Sequence, residues 1–168
     1  MKGKVITMEV NNRINRILCN TNFIEHLKKN NGAEKNRQFC KHDINHLLDV
    51  ARLAYIMVLE KDLDYSKDII YAAALLHDIG RWLQYKENIP HEKASAKLAK
   101  EILEQSDYDS DEIELICNAI LNHRNQDNES TLNYIIYKSD KLSRKCYHCT
   151  SIHECNWSED KKNYKIAY

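Results

Sequence analysis

The chain of 168 residues carries 25 Lys and Arg against 25 Asp and Glu, a formal net charge of zero with histidine neutral, so no overall basic field is present to hold nucleic acid. One proline and three glycines, among abundant Leu, Ile, Ala, Lys and Glu, point to a single, nearly all-helical domain that needs no strands. No stretch approaches the roughly 20 apolar residues that cross a bilayer, and the opening MKGKVITMEV lacks the apolar segment of an export signal. A cytoplasmic protein is therefore expected, with no membrane partner and with its six cysteines kept as thiols or metal ligands.

Residues 1–32 read as an N-terminal helical segment that wraps the domain. Val10, Ile14, Ile17, Leu18, Ile24 and Leu27 recur at helical spacing between Met8 and Lys29, with a break near Asn20 to Asn22. Asn30, Asn31 and Gly32 end it. A second helix is expected from Ala33 or Glu34 to Glu60, with Phe39, Ile44, Leu47, Val50, Ala54 and Met57 on its apolar face. His42 and His46, four apart, project from the same side of that helix. His42 alone reads as a surface or capping residue.

Asp62 to Ser66 form a turn or cap before the next helix. That helix runs into YAAALLHDIGR, Tyr71 to Arg81. Its apolar run, Ala72 to Leu76, reads as buried and delivers His77 and Asp78 to the carboxyl end. Burying an unpaired carboxylate is costly, so Asp78 is expected to meet a cation, a metal or several donors. Gly80 stands where a helix C-terminus favours positive φ. Arg81 to Ile89 read as a polar connection carrying Trp82 and Tyr85, and Pro90 suits the first turn of a helix that has His91 at its start.

Asp109-x-x-Glu112 is a capping box for a helix whose stripe of Ile113, Ile116, Cys117 and Ile120 ends at His123. After a loop from Asp127 to Ser130 and an N-cap at Thr131, Leu132, Ile135, Ile136 and Ser139 face inward on a helix ending near Asp140. Read together, His46, His77, Asp78, His91, His123 and Asp140 are imidazoles and carboxylates without a thiolate, a set suited to Zn, Fe, Mn or similar divalent ions. Helices of one bundle can converge them. On the residues alone other readings stand: His123 as a helix C-terminal cap, His91 as an ordinary helix-start residue, and Asp140 as a solvated carboxylate beside Lys138 and Lys141.

Five ordered stretches carry a resemblance: HLLDVARLA from His46, AALLHDIGR from Ala73, HEKASAKLAKEIL from His91, AILNHR from Ala119 and SDKLSR from Ser139. Together they resemble the HD-domain superfamily of metal-dependent phosphohydrolases. The resemblance makes residues 33–144 the core and leaves 145–168 as a cysteine-containing tail outside it. It implies an all-α bundle with the metal site between helices. The first divalent metal is implied at His46, His77, Asp78 and Asp140, and a second metal or the substrate phosphate at His91 and His123, the metal being Fe, Mn, Zn, Ni, Co or Mg.

The implied reaction is hydrolysis of a phosphate ester or anhydride of a small molecule by metal-activated hydroxide, with Asp78 bridging and Asp78, Arg81, His91 and His123 at the catalytic centre. A nucleotide or dinucleoside polyphosphate is the expected substrate, since the histidine set also resembles that of HD-type bacterial diadenosine tetraphosphate hydrolases. The glycine-tyrosine-proline signature of the cyclic dinucleotide branch is absent from the sequence. Arg81 replaces the lysine usual after this motif and keeps its charge as a planar fork. Arg81, Lys141 and Arg144 are candidate phosphate clamps, with Arg37 and His42 as further donors. Tyr71, Trp82 and Tyr85 read as stacking surface for a base or as rim packing.

The same ordered pattern is similar to that of HD-fold di-iron oxygenases, and a nucleotide sensor without turnover is a further reading. Expected partners are the small phosphorylated substrate and a second copy of the chain in a homodimer. In the tail, Cys146-x-x-Cys149 and Cys155, with His148 and His153 nearby, offer soft ligands for a structural zinc. A redox-sensitive thiol pair and plain packing are the other readings there, and the spacing supplies no obvious fourth ligand.

Overall fold

Polar side chains set most of the helix starts in this computed structural model, which describes residues 12–124, 128–129 and 131–168. Asn12 accepts from the Ile14 amide before α1 (Arg13–Cys19), and Asn20 accepts from Asn22 and Phe23 before α2 (Thr21–Ala33). Asp43 caps α3 (Ile44–Glu60) through the His46 amide, and Ser66 caps α4 (Lys67–Leu76) through that of Ile69. Each bond satisfies an amide that the helix itself leaves without an acceptor. Then come α5 (Arg81–Glu87) and α6 (His91–Glu104), which open on Gly80 and Pro90 without a side-chain cap. The predicted box of Asp109 and Glu112 closes before α7 (Ser110–Leu121). The last helix, α8 (Leu132–Leu142), is followed by 3₁₀ turns at Cys146–His148, Ile152–Glu154 and Glu159–Lys161. No strand occurs among the described residues, so the all-α expectation holds.

Several boundaries differ from expectation. The break at Asn20 is present, but α2 runs through Asn30 and Gly32 to Ala33; Met8 and Val10 lie outside the described residues. The second helix does not begin at Ala33 or Glu34. Residues 34–43 are an irregular connection, because their side chains take up the backbone groups a helix needs. Glu34 accepts from the His42 amide at 2.7 Å and Arg37 Nε donates to the Cys40 carbonyl at 2.9 Å. Arg37, Phe39 and His42 are thus loop residues. The expected polar connection after Gly80 is largely helical, and α5 stops where Asn88 takes a left-handed conformation at φ 56°. Of the loop expected from Asp127 to Ser130, only Asn128 and Glu129 are described; Thr131 precedes α8, but its hydroxyl donates to the Asn128 carbonyl.

The centre of the bundle is α4. Ile70, Ala72 to Leu76 and the following Ile79 are all fully buried, as a helix apolar on every side must be. It packs against α1, α3, α6, α7 and α8. Three consecutive alanines let those neighbours approach closely, while burial of Ile70, Leu75 or Leu76 stabilises the fold by about 1.5–3 kcal/mol each. Outside this centre α3 packs on α8, α6 on α7 and α5, and α5 on α2. No described helix is long and apolar enough to cross a membrane.

The carboxyl end of α4 meets the amino end of α6 at Gly80. Its φ is −94°, so the expected left-handed conformation is not what glycine provides. It provides room: a Cβ at Gly80 would stand 2.5 Å from Ser95 N and 2.7 Å from Ala94 C, both backbone atoms. The Gly80 amide donates to Ser95 Oγ at 2.9 Å across the junction. Gly80→Ala is therefore expected to destabilise the protein by about 1–3 kcal/mol through forced separation of the two turns. Gly32→Ala, which meets nothing within 4 Å, should stabilise α2 by up to about 1 kcal/mol. Denaturant unfolding of the two variants checks both signs.

Candidate metal centre

Five elements bring the six sequence-predicted ligands together. His46 lies in the first turn of α3, His77 and Asp78 in the turn that ends α4, His91 at the first residue of α6, His123 just past α7, and Asp140 in the last turn of α8. All six are buried. Their ligand atoms form two groups, His46, His77, Asp78 and Asp140 in one and Asp78, His91 and His123 in the other, each with its atoms within 4.8 Å of one another. Asp78 belongs to both.

The four imidazoles are aimed by bonds on their outer nitrogens. His77 Nδ1 lies 2.7 Å from the Ala74 carbonyl and His123 Nδ1 lies 2.6 Å from that of Ile120. A carbonyl only accepts, so Nδ1 carries the proton and the Nε2 lone pair points inward. His91 Nδ1 is held by Gln84 Oε1 at 2.6 Å. His46 Nδ1 meets Ser143 Oγ at 3.2 Å, and because that hydroxyl already donates to the Asp140 carbonyl, Nδ1 is again the donor. His77 Nε2 is buried with no hydrogen-bond partner. An orphaned inward lone pair among carboxylates is the chemistry of a cation site, and the donor set fits divalent ions.

The charges are strongly coupled. Burial pushes the Asp78 carboxyl up, but His77, Arg81 and His42 outweigh it and hold the group well below the usual carboxylate range. Arg81 Nη1 donates to Asp78 Oδ1 at 3.0 Å. Asp140 is likewise lowered, against burial, by Arg144 and then Lys141. Burial lowers His46 and His123, and takes His91 down to about 4. For His77 burial also pulls downward, but the Asp78 charge wins and raises it. A proton and a metal thus compete for His77 Nε2.

Not every expected substrate contact has a free head group. Arg144 Nη2 donates to Asp140 Oδ1 at 2.7 Å and approaches His46 Nε2 at 3.2 Å, and Nη1 reaches the Lys41 carbonyl. Lys141 Nζ bonds Asp140 Oδ2 at 2.8 Å, while Arg37 stands at the rim with Nη1 3.3 Å from the Tyr85 hydroxyl. Trp82 stacks on His26, with Lys29 4.7 Å above its ring. Tyr71 packs edge-on with Tyr55 on another part of α4.

His42 is not a surface residue: it is 3% exposed. Its Nδ1 lies 2.6 Å from Glu34 Oε1, and its Nε2 lies 3.6 Å from Asp78 Oδ2. The supporting residues escaped the sequence reading. Glu34 also accepts the Tyr85 hydroxyl at 2.6 Å. Asn30 donates to the Asp78 carbonyl at 2.9 Å and accepts the Trp82 amide at 2.8 Å. A signal for Asn30 did exist, since it falls seven residues after Phe23 and three after Leu27, on the inward stripe of α2.

The family model described as HD domain matches residues 43–145, more than half of the chain. The chain belongs to the HD domain family. A similar protein from Clostridium beijerinckii, itself uncharacterised, is 49% identical over 156 residues, spanning 93% of this chain and 99% of that one. No solved structure matches. HD domains are all-α and in general belong to metal-dependent phosphohydrolases, in keeping with the two buried His/Asp groups that could hold divalent ions.

Because Asp78 serves both groups of this HD centre, Asp78→Ala is expected to empty the His/Asp centre of divalent ion while far-UV circular dichroism stays close to wild type. Elemental analysis reads the loss. Glu34 gives a pH prediction. Burial raises its pKa, but bonds from His42 and Tyr85 dominate and bring it down to about 2. A lowered folded pKa stabilises fully above the ordinary carboxyl value and is lost as pH falls toward 2. Glu34→Gln should therefore cost about 1–3 kcal/mol at neutral pH, with the difference from wild type shrinking from pH ~4.5 downward in urea titrations.

Proposed function

We propose that this HD protein hydrolyses a phosphate ester or anhydride of a small phosphorylated molecule, a nucleotide or dinucleoside polyphosphate being the best-suited class. The observation that supports the reading most is the sharing of Asp78 between two ligand groups, as a site for two divalent ions requires. When bound there, such ions supply Lewis acidity and a water of pKa lowered toward about 7. His46, His77, Asp78 and Asp140 would hold the first and Asp78, His91 and His123 the second.

The chain's own residues do the rest. Glu34 accepts the Nδ1 proton of His42, which leaves Nε2 as the basic nitrogen, and burial lowers the His42 pKa so that the ring is neutral near pH 7. His42 Nε2 takes the proton of the attacking water and returns it to the leaving oxygen. The Glu34 carboxylate steadies the imidazolium formed between those transfers. Arg81 beside Asp78, Lys141 beside Asp140 and Arg37 beside Tyr85 would supply further cationic donors to the phosphoryl oxygens while keeping those bonds, with Trp82 and Tyr85 on α5 as the nearby aromatic surface for a base.

Anaerobically purified protein, assayed for phosphate release over nucleotides and dinucleoside polyphosphates, is expected to turn over with added Mn, Co or Fe(II) and to stop on chelation. His42→Ala should lower kcat by about 10²-fold or more with metal content unchanged. Two irons per chain, no phosphate release and oxygen consumption would favour the di-iron oxygenase. Tight nucleotide binding with intact metal and no turnover would favour a sensor.

A further inference from the structure

The tail after α8 folds without a core of its own. Between residues 145 and 168 only Cys146 and Ser151 are buried, and the regular structure is three single 3₁₀ turns. A segment this poor in apolar contacts ordinarily depends on a covalent or metal staple. In the first turn the Cys149 amide donates to the Cys146 carbonyl at 3.2 Å, so both thiols sit on one tight loop. Cys155 follows immediately after the second turn.

A fourth thiol comes from a distant part of the sequence. The 34–43 connection lies against this tail: Ser151 Oγ donates to the Gln38 carbonyl at 3.4 Å, and Gln38 Nε2 donates to Glu154 Oε2 at 3.2 Å. Both partners fall between Cys149 and Cys155, and they hold Cys40, two residues past Gln38, beside them. Burial raises the Cys40 thiol, with Arg144 opposing and Cys146, Cys149 and Cys155 adding to the rise; all three thiols are thus within electrostatic reach of it. All four cysteines are free, Cys146 buried and the others half-buried. His148 and His153 are exposed.

We propose that Cys40, Cys146, Cys149 and Cys155 bind a structural zinc ion that staples the tail to the connection in front of α3. Cys₄ is a common tetrahedral zinc set, and the C-x-x-C spacing is typical of one half of it. No three of the thiols stand within 4.8 Å of one another, so the short turns close on the ion. Each coordinating thiol loses its proton to solvent on binding. The fixed charge of Arg144 near Cys40, and of Lys162 near Cys155, offsets the excess negative charge of four thiolates. The staple also steadies the connection that carries Glu34 and His42, yet it is independent of any hydrolytic reading of the HD centre.

Full-length protein exchanged into Co(II) tests it, because thiolate-to-cobalt charge transfer arises at this site and not at a His/Asp centre. Expected are that band in wild type and, by zinc X-ray absorption on Asp78→Ala protein, a shell of four sulfurs at about 2.3 Å. Cys40→Ser should lose the four-sulfur shell and hold zinc at least about ten-fold more weakly against a chromogenic chelator, while Cys19→Ser and Cys117→Ser keep both. No thiolate band in wild type, disulfides in place of the four thiols, or a shell unchanged by Cys40→Ser would overturn the proposal. The wild-type spectrum decides even where a variant fails to fold.

Discussion

A carboxylate held out of water at the end of α4 is the constraint the bundle answers to. Asp78 is 2% exposed, and a charge so placed must be compensated from close range. Arg81 reaches it from the start of α5, His42 from the irregular connection, His91 from α6 and His77 from its own turn. Its main-chain carbonyl is met by Asn30 from α2. The helix that presents it sits in the middle, so α3, α6, α7 and α8, packed around α4 for hydrophobic reasons, also bring His46, His91, His123 and Asp140 to its end, while Arg81 and Asn30 arrive from α5 and α2 beside them.

Two of the four imidazoles in this site are aimed by the backbone. His77 and His123 lean on carbonyls three residues earlier in their own terminal turns, so the end of a helix serves as the second coordination shell. That suits His77 and His123 to helix carboxyl ends, where carbonyls left over from the helix ladder can orient a ring, while His46 and His91, at helix starts, are aimed by the side chains of Ser143 and Gln84. The same donor set serves hydrolysis and oxygen chemistry, so selection between them lies in what surrounds it. The Glu34, His42 and Tyr85 group beside Asp78 is suited to handling protons.

The convergence of the six candidate ligands was legible in part from local signals, an apolar run before His77 and Asp78, a proline before His91 and a capping box opening the helix that ends at His123, and in part only through the resemblance to the HD-domain superfamily. The central placement of α4 was legible too, from five apolar residues in succession. The connection from Glu34 to Asp43 was not, since Phe39 and Ile44 mimic helical spacing while Glu34 turns inward onto His42, a long-range choice no window reveals. Gly80 was identified as special for the wrong reason. The sequence marks a glycine at a helix end but cannot distinguish a left-handed turn from contact with Ser95 on a helix packed across it. Arg144 reads as a phosphate clamp in isolation, whereas in the fold its guanidinium faces Asp140 and His46.

The amide of Asn30 has a wider consequence. It bridges the Asp78 carbonyl and the Trp82 amide, two backbone groups of one turn, as an inserted peptide unit would. The family match begins at residue 43, downstream of Asn30, Glu34, Cys40 and His42. The stretch that the family model matches is therefore smaller than the unit that closes the site, whereas the similar Clostridium protein spans 93% of the chain. Excision at the family boundary would remove that rung, taking from the Asp78 carbonyl one of its two donors and from the half-buried Trp82 amide its acceptor.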